Sequence, residues 1–163
     1  MPSRRAAAPA LGVPRMANWA GGEPRLRVLV AEDERLAALA IEDVLTEFGH
    51  EVVLAEDGQA ALDFATARRF DVLITDLAMP RMTGWELIPR IREQQPDLPV
   101  VVMTGYLPPG GAAVLAAHAP SPLAILRKPF EIGDLIAVLA RISPGAEPPA
   151  RVEAALAEAA GGD

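Results

Sequence analysis

The chain has 163 residues, a formal net charge of -7 and a pI near 4.9. That balance argues against a nucleic-acid surface held by phosphate contacts, which needs a basic patch, and it permits a site rich in carboxylates. No cysteine is present, which excludes disulfides and thiolate metal sites, and no apolar run reaches the roughly 18 residues of a membrane span.

Apolar residues make up 51% of the chain and aromatics only 4%, so the core must be built from Ala, Val, Leu and Ile. Arg4-Arg5 is followed by Pro9 and Pro14 rather than by a continuous apolar stretch, which argues against a secretory signal. The expectation is a soluble cytoplasmic protein. Fourteen of the 15 basic residues are Arg, and Lys128 is the one lysine. An ammonium is a compact point charge on a flexible stem, whereas a guanidinium is a planar fork, so the exception points to a position where the difference matters.

Residues 1–24 are rich in Ala, Pro, Gly and Arg without period and read as a disordered N-terminal extension, with Met16 an alternative start. The folded pattern covers 25–142. A first strand, 26–31, ends on Glu32-Asp33. A helix over 34–48 carries Leu36, Leu39, Ala40, Val44, Leu45 and Phe48 at helical spacing, with Gly49 as its C-terminal cap. Strand 51–55 follows. Asp57-Gly58-Gln59 opens a helix to about Arg68, with Ala61, Leu62 and Ala65 inward. Strand 71–75 delivers Asp76 and breaks at Met79-Pro80 and Thr83-Gly84.

The spacing of Leu87, Ile88 and Ile91 predicts a third helix over 85–95, with Pro89 in its first turn, where a missing donor costs least. Strand 98–103 ends on Thr104-Gly105. Leu107-Pro-Pro-Gly-Gly111 makes the start of a short Ala-rich helix, 112–118, irregular. Strand 123–127 leads to Lys128-Pro129, and a last helix, 131–142, turns Leu135, Ile136, Val138 and Leu139 inward. Ser143-Pro144-Gly145 ends the fold. Residues 143–163 form a Pro/Ala-rich tail, in which 151–160 is a helix too short to be stable alone. Five alternating βα units with short connections predict an α/β fold, a doubly wound parallel sheet with helices on both faces.

Open α/β sheets build sites past the carboxyl ends of their strands. Glu32, Asp33, Asp76, Thr104 and Lys128 all fall at that edge. Three grouped acids suit a hard divalent cation such as Mg2+, which takes oxygen ligands. With the charge so balanced, Asp76 is an anionic nucleophile toward phosphorus, and Lys128 and Thr104 offer contacts to transferred oxygens. Taken singly these residues are ordinary: an acid at a strand end caps a helix and Thr104-Gly105 is a turn. Their conjunction at one edge carries the reading.

The segments Val28-Leu-Val-Ala-Glu-Asp-Glu34, Asp71-Val-Leu-Ile-Thr-Asp-Leu-Ala-Met-Pro-Arg-Met-Thr-Gly-Trp85, Met103-Thr-Gly105 and Arg127-Lys-Pro-Phe130 resemble the receiver domain of bacterial two-component response regulators, the CheY-like fold, over about 25–142. The resemblance implies a flavodoxin-like (βα)5 sheet in the order 2-1-3-4-5. It implies that Asp76 accepts a phosphoryl group from a histidine kinase, a phosphotransfer protein or a small phosphodonor. It implies that Asp33, Asp76 and the Ala78 carbonyl ligate Mg2+, with Glu32 acting through water. It further implies that Lys128 and Thr104 contact the phosphoryl group, and that Lys128-Pro129 is cis. Such a protein catalyses only its own phosphorylation and dephosphorylation. With little chain after 142, it is expected to be a single-domain regulator with an unknown downstream protein target, a homodimer being one option, and no nucleic-acid or membrane partner.

Two departures from the family stand out. The aromatic expected three residues before the lysine is Ile125, and the one tyrosine is Tyr106, which is expected to cover the site. The Pro/Gly-rich 107–111 segment points to a shortened or mobile fourth helix that phosphorylation orders. Trp85 and Phe130 flank the edge, Phe130 packing inward. His50 and His118 have no evident partners and read as solvated. Ala78 has no polar side chain to position an attacking water.

A haloacid-dehalogenase-type phosphatase shares the aspartyl nucleophile and Mg2+, but it needs a second acid where Ala78 stands and a cap domain that 163 residues do not accommodate. No G-x-G-x-x-G follows the first strand, which removes a dinucleotide-binding module. A receiver-like interaction domain that works without phosphorylation is the remaining rival, kept open by Ile125.

Overall fold

The computed structural model describes residues 25–117 and 122–142. The N-terminal extension, the tail with its expected short helix, and His118 lie outside them. The elements run β1 (Arg27–Ala31), α1 (Arg35–Glu47), β2 (Glu51–Ala55), α2 (Gly58–Ala67), β3 (Val72–Asp76), α3 (Gly84–Gln94), β4 (Val100–Thr104), α4 (Gly111–Ala117), β5 (Leu123–Arg127) and α5 (Ile132–Ile142). All strand pairs are parallel, in the order β2-β1-β3-β4-β5. The doubly wound parallel sheet is the one the βα alternation predicts, and its flavodoxin-like order is the one the resemblance implies.

The alternation of strand side chains splits the core in two. Leu29, Ala31, Leu73, Val100 and Val102 point to one face, where Ala61, Ala65, Leu87, Ile88, Ile91 and Leu115 of α2, α3 and α4 cover them. Val28, Val30, Val72, Ile74, Val101 and Met103 point to the other, under Ile41 and Leu45 of α1 and Leu135, Val138 and Leu139 of α5. Every residue of β3 and β4 is buried, as expected of central strands covered on both faces.

Three details differ from the sequence reading. The buried stripe of α1 is Ala38, Ile41 and Leu45, while Ala40 is exposed and Leu36 is 77% exposed. Apolar residues occur almost all round the first turns of this helix, so spacing alone does not choose the face; the sheet contacts the i, i+3, i+7 stripe. The third helix begins at Gly84, because Thr83 and Glu86 form a capping box in which each side chain accepts the other's backbone N–H. Pro89 therefore lies in the second turn, where it removes one rung of the hydrogen-bond ladder.

His50 is the third difference: it is buried, and its Nδ1 accepts the Leu26 N–H at 3.1 Å. The turn after α1 places it there. Gly49 adopts φ 89°, its N–H meets the Thr46 carbonyl at 2.9 Å, and the His50 N–H meets the Leu45 carbonyl at 3.0 Å. These two bonds form a Schellman motif, which needs glycine at the left-handed position.

Candidate phosphoacceptor site

Parallel register brings the polar strand ends to one edge. Ala31 pairs with Thr75, Asp76 with Met103, and Thr104 with Arg127, so Glu32, Asp76, Thr104 and Lys128 leave the sheet side by side. Glu32 and Asp76 are buried, Asp33 is exposed, and Lys128 is half-buried.

Lys128 joins the acids. Its Nζ donates to Asp76 Oδ2 at 2.7 Å and to Glu32 Oε2 at 2.9 Å. The remaining carboxylate oxygens are held by backbone: Ala78 N–H donates to Asp76 Oδ1 at 3.1 Å, and Glu34 N–H to Glu32 Oε1 at 3.0 Å. Burial pulls the Lys128 ammonium toward neutrality, but the hydrogen bonds and charges of Asp76 and Glu32 outweigh it and raise its pKa above 10.5. The Lys128–Pro129 bond is cis, as the resemblance implies, and the Lys128 N–H donates to the Thr104 carbonyl at 2.8 Å.

The carboxylates of Glu32, Asp33 and Asp76 each offer an oxygen, all within 4.8 Å of one another. An all-oxygen, anionic donor set this tight fits a hard cation such as Mg2+. Ala78 is exposed, with no side-chain donor, and offers only its carbonyl.

Thr104 sits at the same edge, but its hydroxyl is engaged elsewhere. It donates to the Tyr106 carbonyl at 2.6 Å and accepts the Tyr106 N–H at 3.2 Å. The Tyr106 side chain is 72% exposed, so its backbone, rather than its ring, contacts Thr104. Ile125 packs against the α2–α3–α4 core, as Trp85 does, and Phe130 against the opposite core. The described part of the fourth helix is Gly111–Ala117.

The sequence reading missed a pair bordering the site. Asp57 caps α2 by accepting the Ala60 N–H at 2.8 Å, and the Arg81 guanidinium reaches it from the β3–α3 loop, Nε to Oδ2 at 2.5 Å. Only Asp57-Gly58 at the head of a helix signalled this, and it read as a cap alone.

A five-stranded CheY-like sheet with three acids and an ammonium at its carboxyl edge defines the class of protein. Residues 28–140 match the model of the response regulator receiver domain, and the chain belongs to that family. It is 36% identical over 110 residues to a response regulator receiver protein of Anaeromyxobacter sp., covering 68% of this chain and 45% of that one; the chain thus spans under half of that relative's length. The chemotaxis protein CheY4 of Vibrio cholerae superposes with a TM-score of 0.67 at 32% identity, covering 72% of this chain and 98% of that one. The receiver domain of a Pseudomonas aeruginosa sensor histidine kinase, solved with magnesium in its active-site cleft, gives a TM-score of 0.64 at 26% identity, covering 72% of this chain and 97% of that one. No described helix is long and apolar enough to cross a membrane.

Proposed function

We propose that this chain is a cytoplasmic phosphoacceptor regulator in which Asp76 takes a phosphoryl group from a histidine kinase or phosphotransfer protein. The observation that carries the reading is the Lys128 ammonium placed between Asp76 and Glu32, within a cluster of three acids. A structural ion pair needs one acid; here two acids share one lysine and a third, Asp33, stands beside them, which leaves negative charge for a further cation.

Glu32, Asp33, Asp76 and the Ala78 carbonyl would hold Mg2+, the metal that the related kinase receiver carries. When bound, Mg2+ supplies positive charge toward the phosphoryl oxygens and offsets the repulsion among the acids. An Asp76 oxygen attacks phosphorus; the O–P bond forms as the donor's P–N bond breaks, and the donor imidazole leaves with the electron pair. No general base is needed, because the nucleophile is already an anion. Lys128 turns from Asp76 to a phosphoryl oxygen, and the Thr104 hydroxyl exchanges the Tyr106 backbone for another. Exchanging the Thr104–Tyr106 bonds resets the segment leading to α4, which alters the protein contacts of that face. The receiver domain, 25–142, acts through a protein target.

Borohydride trapping after incubation with acetyl phosphate and Mg2+, followed by peptide mass spectrometry, tests this assignment. Modification confined to Asp76 is expected. Modification at another acid would move the phosphoacceptor from Asp76, and none with any kinase would replace this reading with the phosphorylation-independent interaction domain that Ile125 keeps open.

A further inference from the structure

Among the described residues, Arg81 is the one non-glycine with a positive φ, 63°. A left-handed backbone is disfavoured for a residue with a Cβ and persists where its surroundings hold it. The side chain shows what holds it here. Arg81 Nε and Nη2 both reach Oδ2 of Asp57, and Nη2 lies 3.3 Å from Glu56 Oε1. The Asp57 side chain is only 3% exposed. An acid so covered, with its Oδ1 already accepting the α2 N–H, needs a cation on its second oxygen.

A second link runs beside the first. The Gly58 N–H donates to the Met82 carbonyl at 3.2 Å, and a Cβ on Gly58 would stand 2.4 Å from that oxygen. The β2–α2 turn and the β3–α3 loop are therefore pressed backbone to backbone at Gly58 and clasped by side chains at Arg81. The clasped loop is the one whose Ala78 N–H holds Asp76 Oδ1. Its far end is pinned by the Gly84 N–H on the Leu77 carbonyl at 3.0 Å. Between these pins, Arg81 is the loop's side-chain tie to the neighbouring turn.

We infer that Arg81 is a positioning residue of the phosphoacceptor site: through Asp57 it holds the Leu77–Thr83 loop so that the Ala78 backbone stays on Asp76. The inference rests on the receiver reading in that the loop backbone is also taken to meet Mg2+.

The test is Mg2+ titration calorimetry on the full chain, with amide exchange at Ala78 read in parallel, for the native protein, Arg81→Ala, Arg81→Gly, Arg81→Lys and Asp57→Asn. Arg81→Gly relieves the backbone and removes the clasp, so it separates the two effects. The expected result is Mg2+ affinity roughly tenfold weaker in Arg81→Ala, Arg81→Gly and Asp57→Asn, faster exchange at Ala78 in all three, and partial recovery in Arg81→Lys. Native Mg2+ affinity and native Ala78 exchange in folded Arg81→Gly would overturn the inference, even if that variant were less stable. If the native chain itself bound no Mg2+, the phosphoacceptor reading would fall; the positioning role would then stand or fall on Ala78 exchange alone.

Discussion

Lys128 Nζ lies 2.7 Å from Asp76 Oδ2, closer than its 2.9 Å contact to Glu32. The one lysine of the chain is thus a bridge between two buried acids. Removing one partner from such a group leaves uncompensated charge. Lys128→Ala is expected to lower stability by about 1–3 kcal/mol in EDTA, and Mg2+ is expected to restore more of it than Mg2+ adds to the native chain. Urea midpoints with and without Mg2+ check this. Because the folded pKa is raised above 10.5, the stabilisation is fully present below pH 10.5 and is lost as the pH rises through the folded value.

His50 gives the opposite pH dependence. Burial holds its pKa below 6.5, and Nδ1 must stay unprotonated to accept the Leu26 N–H. The stability of the neutral ring is present above pH 6.5 and is lost as the pH falls through the folded value. His50→Asn, which offers an amide oxygen as acceptor, is expected to flatten the stability profile below pH 6.5, and His50→Ala to cost about 1–3 kcal/mol at neutral pH. Urea titrations across pH decide it.

Gly84 has no room for a side chain: a Cβ there would stand 2.2 Å from the Asp76 carbonyl oxygen and 2.9 Å from Leu77 Cα. The obstacles are backbone, so they yield only by moving the strand end that carries Asp76. Gly84→Ala is expected to lose on the order of 1–3 kcal/mol and to slow phosphorylation of Asp76. Gly105→Ala, with nothing within 4 Å of its added Cβ, is the control expected to keep native packing. Thermal melts and phosphorylation rates compare the two.

Thr104 links the site to α4 through backbone. If its hydroxyl leaves Tyr106 on phosphorylation, the Tyr106 amide and the 107–117 segment exchange differently in the phosphorylated protein, and Thr104→Ala shows fast Tyr106 exchange in both states. Hydrogen exchange with the native chain and this variant measures both; unchanged exchange across 104–117 on phosphorylation would rule out this route.

The strands and the site edge were legible because apolar runs of β-branched residues punctuated by acids and glycines have few other solutions. Asp76, Glu32, Thr104 and Lys128 announced themselves by standing where those runs stop. What escaped was set by tertiary contact. The inner face of α1 was ambiguous because Leu36, Leu39 and Ile41 point different ways around one helix. The burial of His50 follows from a Schellman turn that folds it back onto Leu26. The Asp57–Arg81 clasp joins residues 24 positions apart, and no local period marks it.

The central claim is that Asp76 is the phosphoacceptor and that its acids require a divalent cation. Intact mass after incubation with acetyl phosphate tests it most directly, for the native chain and Asp76→Ala, with Mg2+ and with EDTA. The account predicts the gain of a single phosphoryl group in the native chain with Mg2+ and in no other sample. A gain that survives EDTA or Asp76→Ala would contradict it, as would an unmodified native chain with Mg2+ and a panel of histidine kinases.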